Sequence, residues 1–208
     1  MRLTRPAKLL ASTAVALAAC VLSSCGGGTH PSSSPRDTGS GATVTGPSSS
    51  PTASPVRFES PEYGYTVTLP AGWTATQAYS KWDGKAELSK DSFDIDRFVG
   101  PPPTISFAAA ASWTHGLAAY ARYLIASNVR YHSGTCPTRP DGQVGIAIGG
   151  RPGVLLEYNC GILINIAATV RHGVGYVFTF RDDNVQAASD PTDHAAFAQM
   201  LGSVDFPH

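Results

Sequence analysis

The clearest indication of the fold is the segment ILINIAATVRHGVGYVFTF, residues 162–180. Its first half has apolar residues at alternate positions, namely Ile162, Ile164, Ile166, Ala168 and Val170. Its second half repeats the pattern with Val174, Tyr176, Phe178 and Phe180. Such alternation is typical of half-buried strands, and the dipeptide His172-Gly173 between the halves suits a two-residue turn. The stretch therefore predicts a β-hairpin.

Further strands extend this hairpin into an antiparallel meander. Val144–Ile148 is followed by the turn Gly149-Gly150 and by the apolar run Val154–Tyr158. Asn159-Cys160-Gly161 then turns the chain into the strand that begins at Ile162. Because these connections are short, we expect strands that follow one another to pair antiparallel.

Two earlier segments also alternate. Tyr65, Val67 and Leu69 are separated by threonines and precede the turn Pro70-Ala71-Gly72, after which Trp73 is expected to pack back on the strand. Thr104–Ala110 alternates as well. Residues 75–103 between them are polar and show no clear period.

Two helices complete the pattern. The first is predicted over about 114–127, where Leu117, Tyr120, Ala121, Leu124 and Ile125 form one apolar stripe. The second is expected to begin at a cap, Asp190, with Pro191 and Asp193 in its first turn. Its buried face is predicted to contain Phe197, Met200, Leu201 and Val204. The fold class is thus α+β: a single antiparallel β-sheet flanked by helices.

The opening YGYTVTLPAGW (63–73), the meander around Val154–Phe180 and the closing helix together resemble the PsbP-like α/β/α sandwich. More narrowly, they are similar to the PsbP-like lipoproteins of actinobacteria, including the LpqN group. The resemblance spans nearly all of residues 56–208. It implies a binding or assembly factor, and it carries over no catalytic residue and no cofactor.

The N-terminus is typical of a targeting segment. Arg2, Arg5 and Lys8 precede the apolar run Leu9–Leu22, which is shorter than the roughly 20 residues of a transmembrane helix. The run ends in Leu-Ser-Ser-Cys25, which resembles the lipobox of bacterial lipoproteins. The resemblance implies that residues 1–24 are a signal peptide and that Cys25 carries a thioether-linked diacylglycerol, often with a third acyl chain such as palmitate. Two or more chains anchor a protein stably.

Two alternatives to this processing remain open. Leu17-Ala18-Ala19-Cys20 also fits the lipobox, although cleavage there would leave a short apolar region. A simple secreted protein cut near Ala18-Ala19 is the other. The preferred site, Cys25, is followed by three glycines and by a Ser/Pro/Gly/Thr-rich tract up to Pro55. We expect residues 25–55 to be the lipidated cysteine and a disordered tether with a reach of about 30 Å.

Charge narrows the range of partners. Removal of residues 1–24 takes away three of the 15 basic residues and none of the 15 acidic ones. The mature chain therefore has a small negative net charge, which favours neither nucleic acid nor anionic lipid as a partner. Attachment at the outer face of the cytoplasmic membrane would depend on the lipid anchor.

Cys136 and Cys160 are the cysteines of the region 56–208. An extracytoplasmic compartment permits a disulfide, which would close a loop of about 25 residues and contribute roughly 3.5 kcal/mol. A free thiol, a redox pair or a metal site are the alternatives. No histidine or acid lies at a recognised ligand spacing from either cysteine, so no metal or other cofactor is expected.

Few other residues suggest chemistry. The domain's histidines form no metal-binding motif; they are His115, His132, His172, His194 and His208. Asp94 and Asp96 would share a face in an extended chain, but a loop with a local pair to Arg97 is the commoner arrangement. Four aromatic residues near predicted loops are candidates for a groove or an interface, with packing as the alternative: Tyr63, Tyr79, Trp82 and Trp113.

The sequence therefore predicts a lipid-anchored cell-envelope protein that is not an enzyme and that binds a protein partner or an envelope component. One rival hypothesis is an envelope hydrolase or esterase with a triad scattered along the chain, since triads are defined by geometry rather than order. Another is a carrier of an apolar ligand, held in a cavity between sheet and helix. The envelope component that the domain binds would be a lipid or a glycan.

Overall fold

A computed structural model describes residues 54–85, 93–101, 104–131, 136–182 and 191–208, all within one compact unit that starts at Ser48. Two helices and nine strands are found there. The strands are β1 (Val56–Glu59), β2 (Thr66–Leu69), β3 (Thr74–Thr76), β4 (Asp96–Gly100), β5 (Thr104–Ser112), β6 (Gly142–Ile148), β7 (Arg151–Asn159), β8 (Leu163–Arg171) and β9 (Val174–Asp182). The helices are α1 (Leu117–Tyr131) and α2 (Pro191–Gly202).

Seven strands form one antiparallel sheet in the order β3-β4-β5-β9-β8-β7-β6. β5, β8 and β9 lie at its centre, and nine residues of β9 are paired on each side. The predicted meander is confirmed as β6 to β9. The fold class, an antiparallel α+β sheet with flanking helices, is confirmed as well.

Two hairpins of the meander turn through two residues with positive φ. His172 and Gly173 join β8 to β9 with φ of 48° and 77°, and Gly149 and Gly150 join β6 to β7 with φ of 55° and 71°. Positive φ at both central residues defines the type I′ turn, whose twist matches that of the flanking strands. These turns fix the register of the meander.

The helices lie on opposite faces of the sheet. Gly175 of β9 lies beneath Tyr120 of α1, where an added Cβ would come within 2.7 Å of the ring. Phe180 of β9 packs instead on Phe197 of α2, with ring centroids 5.1 Å apart. Because residues 175 and 180 differ by an odd number, they point to opposite faces of the strand. We call these the α1 face and the α2 face.

The hairpin of β1 and β2 shares the α2 face. Phe58 of β1 contacts Phe98 of β4 edge-on at 5.2 Å, and Thr66 of β2 forms a bridge with Asp205 beyond α2. Trp73 packs over Gly100 of β4, where a side chain would collide with the indole. The result is a layer of α2 and a hairpin on one side of the sheet and α1 on the other.

Some elements differ from expectation. β1, β3 and β4 were not predicted, and α1 spans Leu117–Tyr131, where the sequence predicted a helix over about 114–127. Within the described residues, no helix is both long and apolar enough to cross a bilayer.

Candidate functional site

A buried carboxylate organises one end of the sheet. Asp96, the first residue of β4, is fully buried. Its Oδ2 accepts a hydrogen bond from the Tyr65 hydroxyl at 2.7 Å, and its Oδ1 accepts one from the Ala78 N–H at 2.8 Å. A buried carboxylate is stable only with such donors. Asp96 therefore ties the turn between β1 and β2 to the segment that follows β3.

Tyr63 makes a second set of links at the same end. Its hydroxyl accepts a hydrogen bond from the Trp82 N–H at 2.9 Å and donates one to the Asp94 carbonyl. Burial raises the pKa of Tyr63 to about 12, and burial together with the Asp96 carboxylate raises the pKa of Tyr65. Both hydroxyls stay protonated at neutral pH and serve as fixed hydrogen-bonding partners.

This network supports an exposed aromatic pair. Tyr79 and Phe93 are 66% and 74% exposed, their ring centroids are 6.2 Å apart, and the Tyr79 N–H donates to the Phe93 carbonyl at 2.8 Å. Tyr79 follows Ala78 directly, so its backbone is held next to the Asp96 carboxylate. The pair thus presents two adjacent rings to solvent on an ordered backbone, and aromatic residues are enriched among those that dominate protein interfaces.

Tyr79 and Phe93 lie at one end of the seven-stranded sheet, and β1 begins near the other end. Val56 pairs with Leu69, and Leu69 leads into Trp73, which packs over Gly100 at the end of β4. Tyr79 lies instead beside Asp96, at the beginning of β4. We call the end with Asp96 the loop end and the end with Val56 the tether end.

A cluster of aromatic rings reinforces the loop end on the α1 face. Trp113 lies 4.9 Å from Tyr120 and 5.2 Å from Tyr123, and exposed His115 lies 5.7 Å from Trp113. The Tyr123 hydroxyl donates to the Gly84 carbonyl. Burial raises the pKa of Tyr120. The segment 77–85 is thereby attached to both layers of the domain.

The structure separates the candidate aromatic residues by role. Tyr63 and Trp82 are core residues, Trp113 is half-buried in the α1 cluster, and Tyr79 is exposed. Phe93 was not predicted. Its signal in the sequence was an isolated aromatic side chain in a polar segment with four aspartates nearby, at positions 83, 91, 94 and 96.

The expected loop pairing of Asp94 and Asp96 with Arg97 does not hold for Asp96. Asp96 and Arg97 are consecutive residues of β4, so their side chains leave opposite faces of the sheet. Nowhere in the described ranges do three or more His, Cys, Asp or Glu residues come together as metal ligands require.

The histidines are dispersed. His115 and His208 are exposed, His172 occupies the hairpin turn, and His194 of α2 lies 5.8 Å from the Phe180 ring. His132 lies outside the described residues. These positions bring no histidine together with a second one.

The predicted disulfide is present. Cys136 and Cys160 are bonded, with their Cα atoms 4.2 Å apart, and they join the loop before β6 to the end of β7. The predicted lipidation site Cys25, its alternative Cys20, the signal peptide 1–24, and the tether 25–55 except its last two residues lie outside the described residues.

A cavity of about 10 Å³ lies between α2 and the sheet, bordered by Ser106, Phe178 and Phe197 among others. This volume suffices for about one water molecule, whereas small-molecule pockets measure about 300–1,000 Å³. This space between helix and sheet is thus too small for the apolar ligand that the carrier hypothesis requires.

No known family model and no curated protein matches the sequence. Among solved structures, the chain is similar to the solution structure of cyanobacterial PsbP (CyanoP) from Synechocystis sp. PCC 6803, with 14% identity and a TM-score of 0.53 over 81% of this chain and 98% of that one. A crystal structure from Bacteroides thetaiotaomicron VPI-5482 matches with 10% identity and a TM-score of 0.39, over 69% of this chain and 45% of that one. The domain therefore has a PsbP-like fold.

Proposed function

We propose that this chain is a lipid-anchored, non-enzymatic binding or assembly protein of the bacterial cell envelope, and that its domain contacts a protein partner through Tyr79 and Phe93. The anchor would be Cys25, at the outer face of the cytoplasmic membrane. The observation that carries the proposal is the exposed aromatic pair at the loop end, held in place by the buried Asp96 network.

The support for a binding role is energetic. Exposed apolar residues are common as single side chains, but two adjacent rings on an ordered backbone offer contact area that is already positioned. Burial of such rings against a partner removes apolar surface from water without first ordering a flexible loop. The backbone bond from Tyr79 to Phe93 and the Asp96 bond to Ala78 supply that order.

The arrangement of the two ends supports a membrane-attached role. A tether from Cys25 would enter the domain at Val56, at the tether end. The aromatic pair lies at the other end of the sheet, so an anchored domain can turn this pair away from the membrane surface. A reach of about 30 Å for the tether leaves room for this orientation.

The PsbP-like fold is compatible with an accessory role. Its similarity to CyanoP concerns the fold, and the binding surface proposed here rests on residues of this chain. Tyr63 and Tyr65 are the tyrosines at the loop end whose pKa values are raised. Both form structural hydrogen bonds, which agrees with a site that binds and does not catalyse.

The test is the double variant Tyr79→Ala, Phe93→Ala in the full-length chain, compared with Val56→Ala, an exposed apolar side chain at the tether end. Crosslinking in cells, followed by mass spectrometry, identifies the partner of the wild-type chain, and titration of that purified partner gives the affinity. We expect at least a 30-fold weaker complex for the double variant, because interface hot spots contribute about 2 kcal/mol or more. Unchanged affinity in the double variant, or equal loss in Val56→Ala, would contradict the proposal.

A further inference from the structure

The two edges of the seven-stranded sheet differ in how well they are protected against pairing with another strand. β3, at one edge, has only three residues, which offers little to a second strand. β6, at the other edge, has seven residues with the sequence GQVGIAI. Its outer backbone groups pair with no strand of the described part of the chain.

β6 lacks the features that usually prevent pairing of an edge strand. Natural edge strands carry charges, prolines or bulges, or are very short. β6 contains no charged residue and no proline, and Gln143, Val144, Gly145 and Ala147 are all exposed. Val144 is 48% exposed. An open and uncharged edge of this length is suited to receive another strand.

We infer that β6 pairs antiparallel with β6 of a second copy of this chain, about a two-fold axis at Gly145. Antiparallel pairing of identical strands is self-complementary, so it forms a closed dimer. Gly145 is the central residue of β6, and this register pairs all seven residues. Val144 then lies opposite Ile146 of the second copy, which continues the row of apolar side chains on the α2 face.

The space at Gly145 permits this approach. An added Cβ there would meet no atom within 4 Å, and the residue does not have positive φ. Because side chains leave a strand perpendicular to the sheet, this space lies on the α1 face, which stays open where the two copies of Gly145 meet and can hold an added side chain. The short β3 edges at the far sides of the joined sheets would limit further growth.

Charges on the α2 face fit the same register. Glu157 of β7 pairs with Gly142, and its carboxylate lies over that glycine, where a side chain would collide with it. Arg151 of β7 pairs with Ile148. With the axis at Gly145, Gly142 lies opposite Ile148 of the second copy. One row across the joined sheets then contains Glu157, Gly142 and, from the second copy, Ile148 and Arg151.

This row brings opposite charges together. The second copy's β7 lies two strand spacings beyond β6, about 10 Å, so Glu157 and the second copy's Arg151 face each other on either side of the second copy's buried Ile148. Neither Glu157 nor Arg151 has an ion-pair partner among the residues that the structure describes. The two-fold axis forms the pair twice, and this complementarity favours a second copy over an unrelated strand.

The test is Gly145→Cys in the full-length chain, oxidised in membranes. Paired Cα atoms of antiparallel strands are about 4.5–5.5 Å apart, within the range that a disulfide bridges. The matched control is Gly116→Cys, another glycine at which an added Cβ meets nothing within 4 Å. We expect at least tenfold more reducible dimer from Gly145→Cys. Equal yields from both variants would overturn the inference.

Two further measurements keep the inference falsifiable if Gly145→Cys fails to fold. Glu157→Arg is expected to lower the dimer fraction of the full-length chain in sedimentation equilibrium, and Glu157→Arg combined with Arg151→Glu to restore it. A wild-type monomer at all concentrations overturns the inference. A Gly145→Cys crosslink to a different protein also overturns it and identifies β6 as a site for a foreign strand.

Discussion

At the scale of single residues, Asp96 shows how burial determines the role of a charged side chain. In the sequence it is one of two aspartates separated by Ile95, a pattern that suits a paired-carboxylate site as well as a loop. In the structure it is fully buried and bonded to Tyr65, which lies 31 residues earlier in the chain. Local spacing contains no information about a partner this distant, so the sequence could not distinguish a structural carboxylate from a reactive one.

Asp96→Ala is expected to lower the free energy of unfolding by about 3 kcal/mol. The reason is that the Tyr65 hydroxyl and the Ala78 N–H would both lose their acceptor while remaining buried. Urea unfolding measures the effect. Asp205→Ala is the matched control, because Asp205 is exposed and its contact to Arg57 at 3.9 Å is a surface ion pair worth less than about 1 kcal/mol. Equal losses in the two variants would contradict the account.

The buried tyrosines predict loss of stability at alkaline pH. Their pKa values are raised in the folded chain, to about 12 for Tyr63 and Tyr158. The unfolded chain therefore releases these protons first, and the free energy of unfolding falls as the pH rises above 10. Tyr63 alone accounts for about 2 kcal/mol by pH 12.

Urea unfolding at a series of pH values, with tyrosinate absorbance as a second readout, measures this dependence. Tyr63→Phe is expected to reduce the slope of stability against pH above pH 10, since it removes one of the contributing groups. A slope in Tyr63→Phe identical to that of the wild type would show that Tyr63 titrates normally in the folded chain.

Among the strands, those that are long and have a regular apolar pattern were predicted from the sequence, and the short or irregular ones were not. β8 and β9 each have nine residues with apolar side chains at alternate positions, so both strands were predicted, although layers on both sides of the sheet bury the intervening residues as well. β3 has three residues, too few to show a period. β4 places the charged Asp96 at a buried position, and the apolar pattern fails there. The aromatic pair depends on β3 and β4, and for that reason only Tyr79 of the candidate surface was predicted.

The Cys136–Cys160 disulfide joins elements that are close in the fold but 24 residues apart in sequence. Its removal by Cys136→Ala with Cys160→Ala is expected to lower the free energy of unfolding by about 3.5 kcal/mol, because the unfolded chain gains the freedom of the opened loop. Chemical unfolding with and without reductant measures this. Reductant should destabilise the wild type and leave the double variant unchanged. If the double variant had the same unfolding midpoint as the oxidised wild type, the prediction would be wrong.

At the scale of the whole molecule, the hypothesis concerns a folded domain on a tether. Cys25→Ser is expected to release the chain from the membrane fraction, because attachment then lacks its acyl chains and the small negative charge gives no attraction to anionic lipid. Fractionation and intact-mass analysis of the extracted protein measure this. Cys20→Ser is the control and should remain lipidated. A Cys25→Ser chain of unchanged mass and location would contradict lipidation at this residue.

Photo-crosslinking in cells from a light-activated amino acid placed at position 79 tests whether Tyr79 and Phe93 form a binding surface. The same amino acid at position 56, which is also exposed but lies at the tether end, is the control. We expect one discrete protein adduct from position 79 that is lost with Phe93→Ala and absent from position 56. No adduct from position 79, or the same adduct from both positions, would contradict a binding surface formed by Tyr79 and Phe93.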